Sequence, residues 1–147
     1  MKVVIAIDSF KGSISSPDAG AAICEGIQRV FPDAEVFVRP LADGGEGTVE
    51  ALAIGMHGRI RTVTVTGPLG TPVEAAYGIL DDSKTAIIEM SAAAGITLVD
   101  EPNRNPLYTT TYGVGELIRD AIINGCRNFI VGIGGSATND GRIGMLQ

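Results

Sequence analysis

Three short stretches of the chain carry groups that together could hold a phosphate, its metal ion and an alcohol. Gly132-Ile133-Gly134-Gly135-Ser136-Ala137-Thr138-Asn139-Asp140-Gly141 follows the apolar run Phe129-Ile130-Val131. Its glycines let backbone N–H groups come close to an anion and turn toward it. Ser136 and Thr138 add hydroxyl donors, and Asn139 and Asp140 add a carbonyl and a carboxylate of the kind a hard cation such as Mg2+ prefers. Asp8-Ser9-Phe10-Lys11-Gly12-Ser13 sets an ammonium group, Lys11, near a carboxylate and two hydroxyls, where it suits a phosphate. Ala42-Asp43-Gly44-Gly45-Glu46-Gly47-Thr48 sets two carboxylates among three glycines, where they suit a metal, a sugar-like hydroxyl or a proton to be abstracted. Taken singly, each stretch is also what a strand-to-helix turn or an acidic loop looks like, since Gly, Asn and Asp serve turns for backbone reasons. Their shared placement after apolar strands is more informative. Loops at the carboxyl ends of parallel strands converge on one crevice. Positioning, charge neutralisation and an oriented hydroxyl are what phosphoryl transfer requires. The Gly-Lys-Ser/Thr ending of a P-loop is absent.

These loops need strands before them and helices after them. Residues 2–7 read as a buried first strand. Ser16 as N-cap and Pro17 at the first helical position open a helix. Its apolar face is Ala19, Ala22, Ile23, Gly26, Ile27 and Val30, and Pro32-Asp33 stops it. Residues 34–38 read as a second strand, so the unit is of parallel α/β type. Thr48 is placed to cap a helix through Val49, Leu52 and Ala53. From Arg59 the period changes to two, and runs at 59–66, 73–79 and 85–90 predict an antiparallel meander with turns at 67–70 and 81–83. That meander is expected to form its own sheet, apart from a parallel sheet holding residues 2–7 and 129–133. Residues 91–95 read as a short helical turn and 100–106 as a loop. A helix after Thr109-Thr110-Thr111, with Val114, Leu117, Ile118, Ala121 and Ile122 inward, ends at Asn124-Gly125. Residues 143–147 read as the opening of a further helix. The expected organisation is residues 1–58 as the first part of a Rossmann-like α/β domain, 59–100 as the β-rich part of a second domain, and 101–147 as the helix, strand and glycine loop at the cleft between them.

Composition narrows the partners. A chain of 147 residues is long enough for a real core. That core must come from Val, Ile, Leu and Ala, because aromatic residues make up 5% and Trp is absent. A net charge of −6 argues against nucleic acid or an acidic membrane as partner. No apolar stretch reaches transmembrane length, and the N-terminus meets Asp8 too soon for a signal peptide. Cys24 and Cys126 show no metal spacing and fit a reduced, cytoplasmic chain. The single histidine, His57, lies in a loop-like setting and reads as a surface residue.

The stretches 8–13 and 132–141, together with Pro40-Leu41-Ala42-Asp43-Gly44-Gly45-Glu46-Gly47-Thr48 and Val65-Thr66-Gly67-Pro68-Leu69-Gly70, closely resemble the bacterial glycerate kinase family. That family phosphorylates D-glycerate with ATP and is unrelated to the P-loop kinases. The resemblance covers the whole chain. Members of the family are more than twice as long, so the chain is expected to be an N-terminal portion. The resemblance implies two α/β domains, one flavodoxin-like and the other inserted into it and here truncated, with the active site between them. Three positions depart from the family pattern. Ile7 stands where many members carry Pro, and Arg142 and Ile143 stand where Gly and Ala are usual.

The resemblance implies the reaction, ATP-dependent phosphorylation of D-glycerate to phosphoglycerate, with 2-phosphoglycerate the expected product, and the residue types suggest the following roles. Asp43, Glu46 and Lys11 are the catalytic candidates. Asp8, Ser9, Gly44 and Gly45 are candidates for the substrate, and Arg104 for its carboxylate, which a guanidinium binds bidentately. Gly134, Gly135, Ser136, Thr138 and Asn139 are assigned to the nucleotide phosphates, with Lys11 reaching the same phosphates, and Asp140 to Mg2+. The expected partners are small molecules, ATP and D-glycerate, and a homo-oligomer is compatible with them. Residues 1–147 without the rest of the family's length are expected to be inactive. A nicotinamide dehydrogenase is the rival enzyme, since Gly132-Ile133-Gly134-Gly135-Ser136-Ala137 fits a degenerate dinucleotide fingerprint. The poor helix-starting chemistry of Thr138-Asn139-Asp140-Gly141 speaks against it. A nucleotide-binding module without activity, or an inactive fragment, is the rival outside the enzymes.

Overall fold

A computed structural model describes residues 1–10, 13–80 and 84–147. Strand β1, Lys2–Ile7, pairs in parallel with β2, Glu35–Pro40, with Lys2 opposite Glu35 and Ile7 opposite Pro40. Helix α1, Ser16–Val30, connects them and packs against both. The helix lies close to the sheet because Gly20 faces Val38, where a Cβ would come within 2.4 Å of Val38 Cγ1. Pro17 and Asp18 sit in its first turn as expected, but the cap is Ser15 and not Ser16. Ser15 Oγ accepts the Asp18 N–H at 3.2 Å, while the Ser16 hydroxyl is turned to the carbonyl of Ile7 at 2.6 Å. The predicted apolar face of α1 is mostly open: Ala19 is buried, but Ala22, Ile23, Gly26 and Val30 are exposed, because the helix meets the sheet through Ala19 and Gly20 instead. Strand β1 is likewise buried on one side only, at Ile5, and Val4 on its other face is open.

The second sheet has the order β3-β4-β5-β6, formed by Arg59–Thr66, Pro72–Leu80, Thr85–Glu89 and Asn128–Gly132. The first three strands are the antiparallel meander that the period of two predicts, and Gly67-Pro68-Leu69-Gly70 makes its first turn. The second predicted turn, 81–83, lies outside the described residues. One expectation is overturned. Strand β6 does not join β1; it pairs in parallel with β5, with Thr85 opposite Asn128 and Glu89 opposite Gly132. The reason is packing. All five residues of β5 are buried, so it is a central strand that needs a neighbour on each side and a layer on each face. Helix α4, Tyr112–Ile123, crosses over from β5 to β6 and buries Val114, Leu117 and Ala121 against Tyr77, Ile88 and Met90. Its Ile122, expected inward, is exposed. Helix α2, Thr48–Gly55, covers the opposite face with Val49 against Leu80 and Ile87, and it also touches β2. It is the joint between the two sheets. Helix α3, Ser91–Ala94, fulfils the predicted short turn, and residues 143–147 give a single 3-10 turn, Gly144–Leu146. His57 is exposed, Cys24 and Cys126 are free thiols, and no described helix is long and apolar enough to cross a membrane.

Candidate active site

Two parallel strand pairs, β1–β2 and β5–β6, deliver their carboxyl ends to one region. The loop after β1 carries Asp8 and Ser9, and the loop after β2 carries residues 41–47. The chain leaving β6 is the glycine-rich stretch. The last two meet main chain to main chain: Gly134 N–H donates to the Gly44 carbonyl at 2.8 Å. No side chain fits between them, since a Cβ on Gly132 would lie 2.6 Å from Gly44 O. The residue types that looked like phosphate chemistry thus also serve a backbone contact.

The first two loops enclose a crevice of about 310 Å3, lined on its polar side by Asp8, Ser9, Asp43, Glu46 and Glu50, with Phe10, Ile14 and Leu41 as apolar walls. Asp43 and Glu46 are exposed to it. The Asp43 side chain is held by its own loop, Oδ1 accepting the Gly45 N–H at 2.9 Å. Asp8 Oδ1 accepts the Ser9 N–H at 2.7 Å. Ser13, Ser15 and Ser16 from the start of α1 also face this space. Lys11, the ammonium expected here, lies outside the described residues.

The glycine-rich stretch lines a separate depression of about 210 Å3 with Met90, Ser136, Thr138, Asn139, Asp140, Gly141 and Arg142. It is sewn to the end of α3 and the residues just after it: Ile96 N–H donates to Gly135 O at 2.9 Å and Ala137 N–H to Ala94 O at 2.8 Å. The Ser136 and Thr138 hydroxyls are 2.8 Å apart, and Ser136 Oγ accepts the Thr138 N–H at 3.1 Å. Asp140 braces the stretch against α4. Its Oδ2 accepts from Thr111 N and Thr111 Oγ1, both at 2.8 Å, and from Gly144 N at 3.3 Å; Oδ1 accepts from Arg142 N at 3.0 Å. Burial pushes its carboxyl up, but these donors together outweigh burial and hold it below the usual carboxylate range. Among the described residues, no three His, Cys, Asp or Glu gather as a metal cage. Among the described residues, Asp140 Oδ1 accepts one hydrogen bond, from the Arg142 N–H, and so has a lone pair free for a further ligand.

Arg104 is not brought to the crevice. It lies exposed in the 100–106 loop, with Nε donating to Val99 O at 3.1 Å. One residue that the loop-by-loop reading passes over is Glu89, at the end of β5. Its carboxylate is buried against the N-terminus of α2, accepting from Val49 N at 3.0 Å and Gly47 N at 3.5 Å. Burial raises its pKa, the N–H groups of Val49, Gly47 and Thr48 pull it part of the way back, and the charge of Glu46 raises it again. The N-terminus of α2, expected to be capped by Thr48, is therefore met by a carboxylate from another part of the chain. The signal in the sequence was a lone carboxylate inside the otherwise uncharged run Thr85-Ala86-Ile87-Ile88-Glu89-Met90.

Comparison with known proteins agrees with this geometry. The sequence profile described as the glycerate kinase family matches residues 3–147. A protein named glycerate kinase from Haemophilus influenzae is 54% identical over 147 residues, covering 100% of this chain and 39% of the relative. One named glycerate 2-kinase from Escherichia coli K12 is 54% identical, with the same 100% and 39% coverage. A crystal structure of a glycerate kinase 2 from Salmonella typhimurium LT2 superposes with a TM-score of 0.86 at 53% identity, over 99% of this chain and 39% of that one. The chain thus spans about two fifths (39%) of the length of these relatives. A profile match running from residue 3 to residue 147, on a fold that superposes throughout, places the chain in the glycerate kinase family.

Proposed function

We propose that a full-length protein carrying this chain transfers the γ-phosphoryl group of ATP to a hydroxyl of D-glycerate, with 2-phosphoglycerate as product. What supports this most is the juncture of Gly44 with Gly134. It sets a crevice rich in carboxylates next to a loop rich in glycine and hydroxyls, as two substrates reacting with each other require. The name of the Escherichia coli relative, glycerate 2-kinase, supports the choice of hydroxyl. The residues divide as follows. Asp43 and Glu46, exposed to the crevice, accept the proton of the attacking glycerate hydroxyl and orient it. Asp8, Ser9, Gly44 and Gly45 frame the glycerate. Gly134, Gly135, Ser136, Thr138 and Asn139 face the nucleotide phosphates, with Lys11 as a charge partner. Asp140 Oδ1 would hold a Mg2+, which neutralises phosphate charge when bound. Residues 1–58 and 59–100 belong on this reading to two domains, and residues 101–147 carry the nucleotide loop at their cleft.

The test uses the full-length protein. Calorimetric titration with ATP and separately with NAD distinguishes the kinase from the dehydrogenase. Phosphorus NMR of the product then distinguishes 2-phosphoglycerate from 3-phosphoglycerate. Binding of NAD without ATP would reject the kinase; 3-phosphoglycerate would reject the finer assignment.

A further inference from the structure

Glu89 makes an arrangement that turn chemistry alone would not produce. The N-cap of α2 is Gly47, which has no side chain and sits at a φ of 87°. The Thr48 hydroxyl is turned away from the helix donors, to the carbonyl of Gly45 at 2.8 Å. The N–H groups of Gly47 and Val49 are met instead by a carboxylate forty residues beyond Val49, at the end of β5 in the sheet that α2 covers. Burying a carboxylate is unfavourable unless it is well hydrogen-bonded, and a local Ser or Asp would cap a helix with no such burial. What a local cap does not supply is a tie from the loop after β2 to the second sheet. Loop 43–47 has two such ties: its Gly44 carbonyl receives Gly134 N–H from beyond β6, and its far end is held by Glu89 from β5.

We propose that Glu89 is a positioning residue for the acidic loop. Its buried carboxylate, reaching from the end of β5 to the N–H groups of Gly47 and Val49, fixes the N-terminus of α2 and with it the place at which Asp43 and Glu46 enter the crevice. Glu89 does not itself line the crevice. The catalytic part of this proposal rests on the glycerate kinase reading; the structural part does not.

The experiment separates the two. Glu89→Gln keeps the shape but sets an amide N–H2 against a backbone donor. In hydrogen exchange on the full-length protein, the peptide covering residues 43–50 is expected to exchange about tenfold faster, the effect of losing one buried hydrogen bond, with the peptide covering 112–123 unchanged. In a coupled assay for ADP release with D-glycerate, kcat is expected to fall about tenfold to a hundredfold, as for a misplaced catalytic group, while KM for ATP stays in place. Leu52→Ala loosens α2 at a half-buried packing contact away from the cap and is the stability control, with kcat held within about twofold. If Glu89→Gln does not fold, Glu89→Asp, which keeps the charge and withdraws it by one methylene, is read in the same way. Unchanged exchange at 43–50 overturns the proposal whatever the substrate. Faster exchange with unchanged kcat, or an equal loss of kcat in Leu52→Ala, overturns the catalytic part. A wild-type protein with no glycerate-dependent turnover counts against the glycerate reading, and the exchange result still decides the role of Glu89.

Discussion

Gly134 donates its backbone N–H to the carbonyl of Gly44 at 2.8 Å, and this bond joins the acidic loop and the glycine loop main chain to main chain. The approach depends on the absence of side chains. A Cβ on Gly134 would lie 2.8 Å from Gly45 Cα and 2.9 Å from Gly45 N, with only main chain to move. Gly134→Ala is therefore expected to force the loops apart and destabilise the fold by about 1–3 kcal/mol. In the full-length protein kcat/KM should fall about a hundredfold. The control is Gly26→Ala on the open face of α1, where a Cβ meets nothing within 4 Å. It should stabilise by about 0.5–1 kcal/mol. Urea unfolding checks both; similar midpoints for the two variants would contradict the steric account.

Asp140 gives a pH-dependent signature. Its carboxyl is held below its ordinary value, so between the unfolded and folded pKa values the unfolded chain binds more protons. Its contribution is present above about pH 4, the ordinary carboxylate range, and is lost as the pH falls through the folded value. Asp140→Asn keeps the size but removes acceptors from Thr111, Gly144 and Arg142. At pH 7 the variant should be less stable by about 1–3 kcal/mol. The gap should narrow as the pH is lowered below about 4. Denaturant midpoints across pH measure this, and a gap that stays constant would show that the charge of Asp140 is not what the loop uses.

Arg142 occupies a backbone conformation meant for glycine. Its φ is 62°, following Gly141 at 61°, and it is the Arg142 N–H, not its side chain, that bonds Asp140. A left-handed conformation costs an ordinary residue about 1 kcal/mol or more. Arg142→Gly should raise stability by about 1 kcal/mol, read as a higher urea midpoint with an unchanged slope. A lower midpoint would mean that the guanidinium makes a contribution larger than the strain.

Much of this is legible in the sequence. Strand β1 begins and ends where its apolar run does, and the meander follows its period of two, because side-chain alternation reports which face is buried. Pairing partners were less legible. Whether β6 lies beside β1 or β5 depends on α4 covering the buried face of β5, a relation between segments that no local pattern carries. Ser15 and Ser16 are equally good caps by type, and only the carbonyl of Ile7 selects between them. The site was legible as loops and not as contacts: Asp8, Asp43 and Glu46 do line one crevice, Arg104 does not, and Glu89 acts across a distance in sequence that motif reading does not span.

The central claim is that the acidic crevice and the glycine loop form one phosphoryl-transfer site for glycerate, with Asp43 at the reacting hydroxyl. The most direct measurement is ADP release by the full-length protein with and without D-glycerate, for wild type and Asp43→Asn, alongside the urea midpoint of each. The account predicts release that depends on glycerate. It also predicts a kcat lowered by about a hundredfold or more in Asp43→Asn, the usual scale for a general base. The midpoint should shift little, because Asp43 is exposed and, among the described residues, its side chain bonds only its own loop. ADP release indifferent to glycerate, or an Asp43→Asn variant turning over at the wild-type rate, would contradict it.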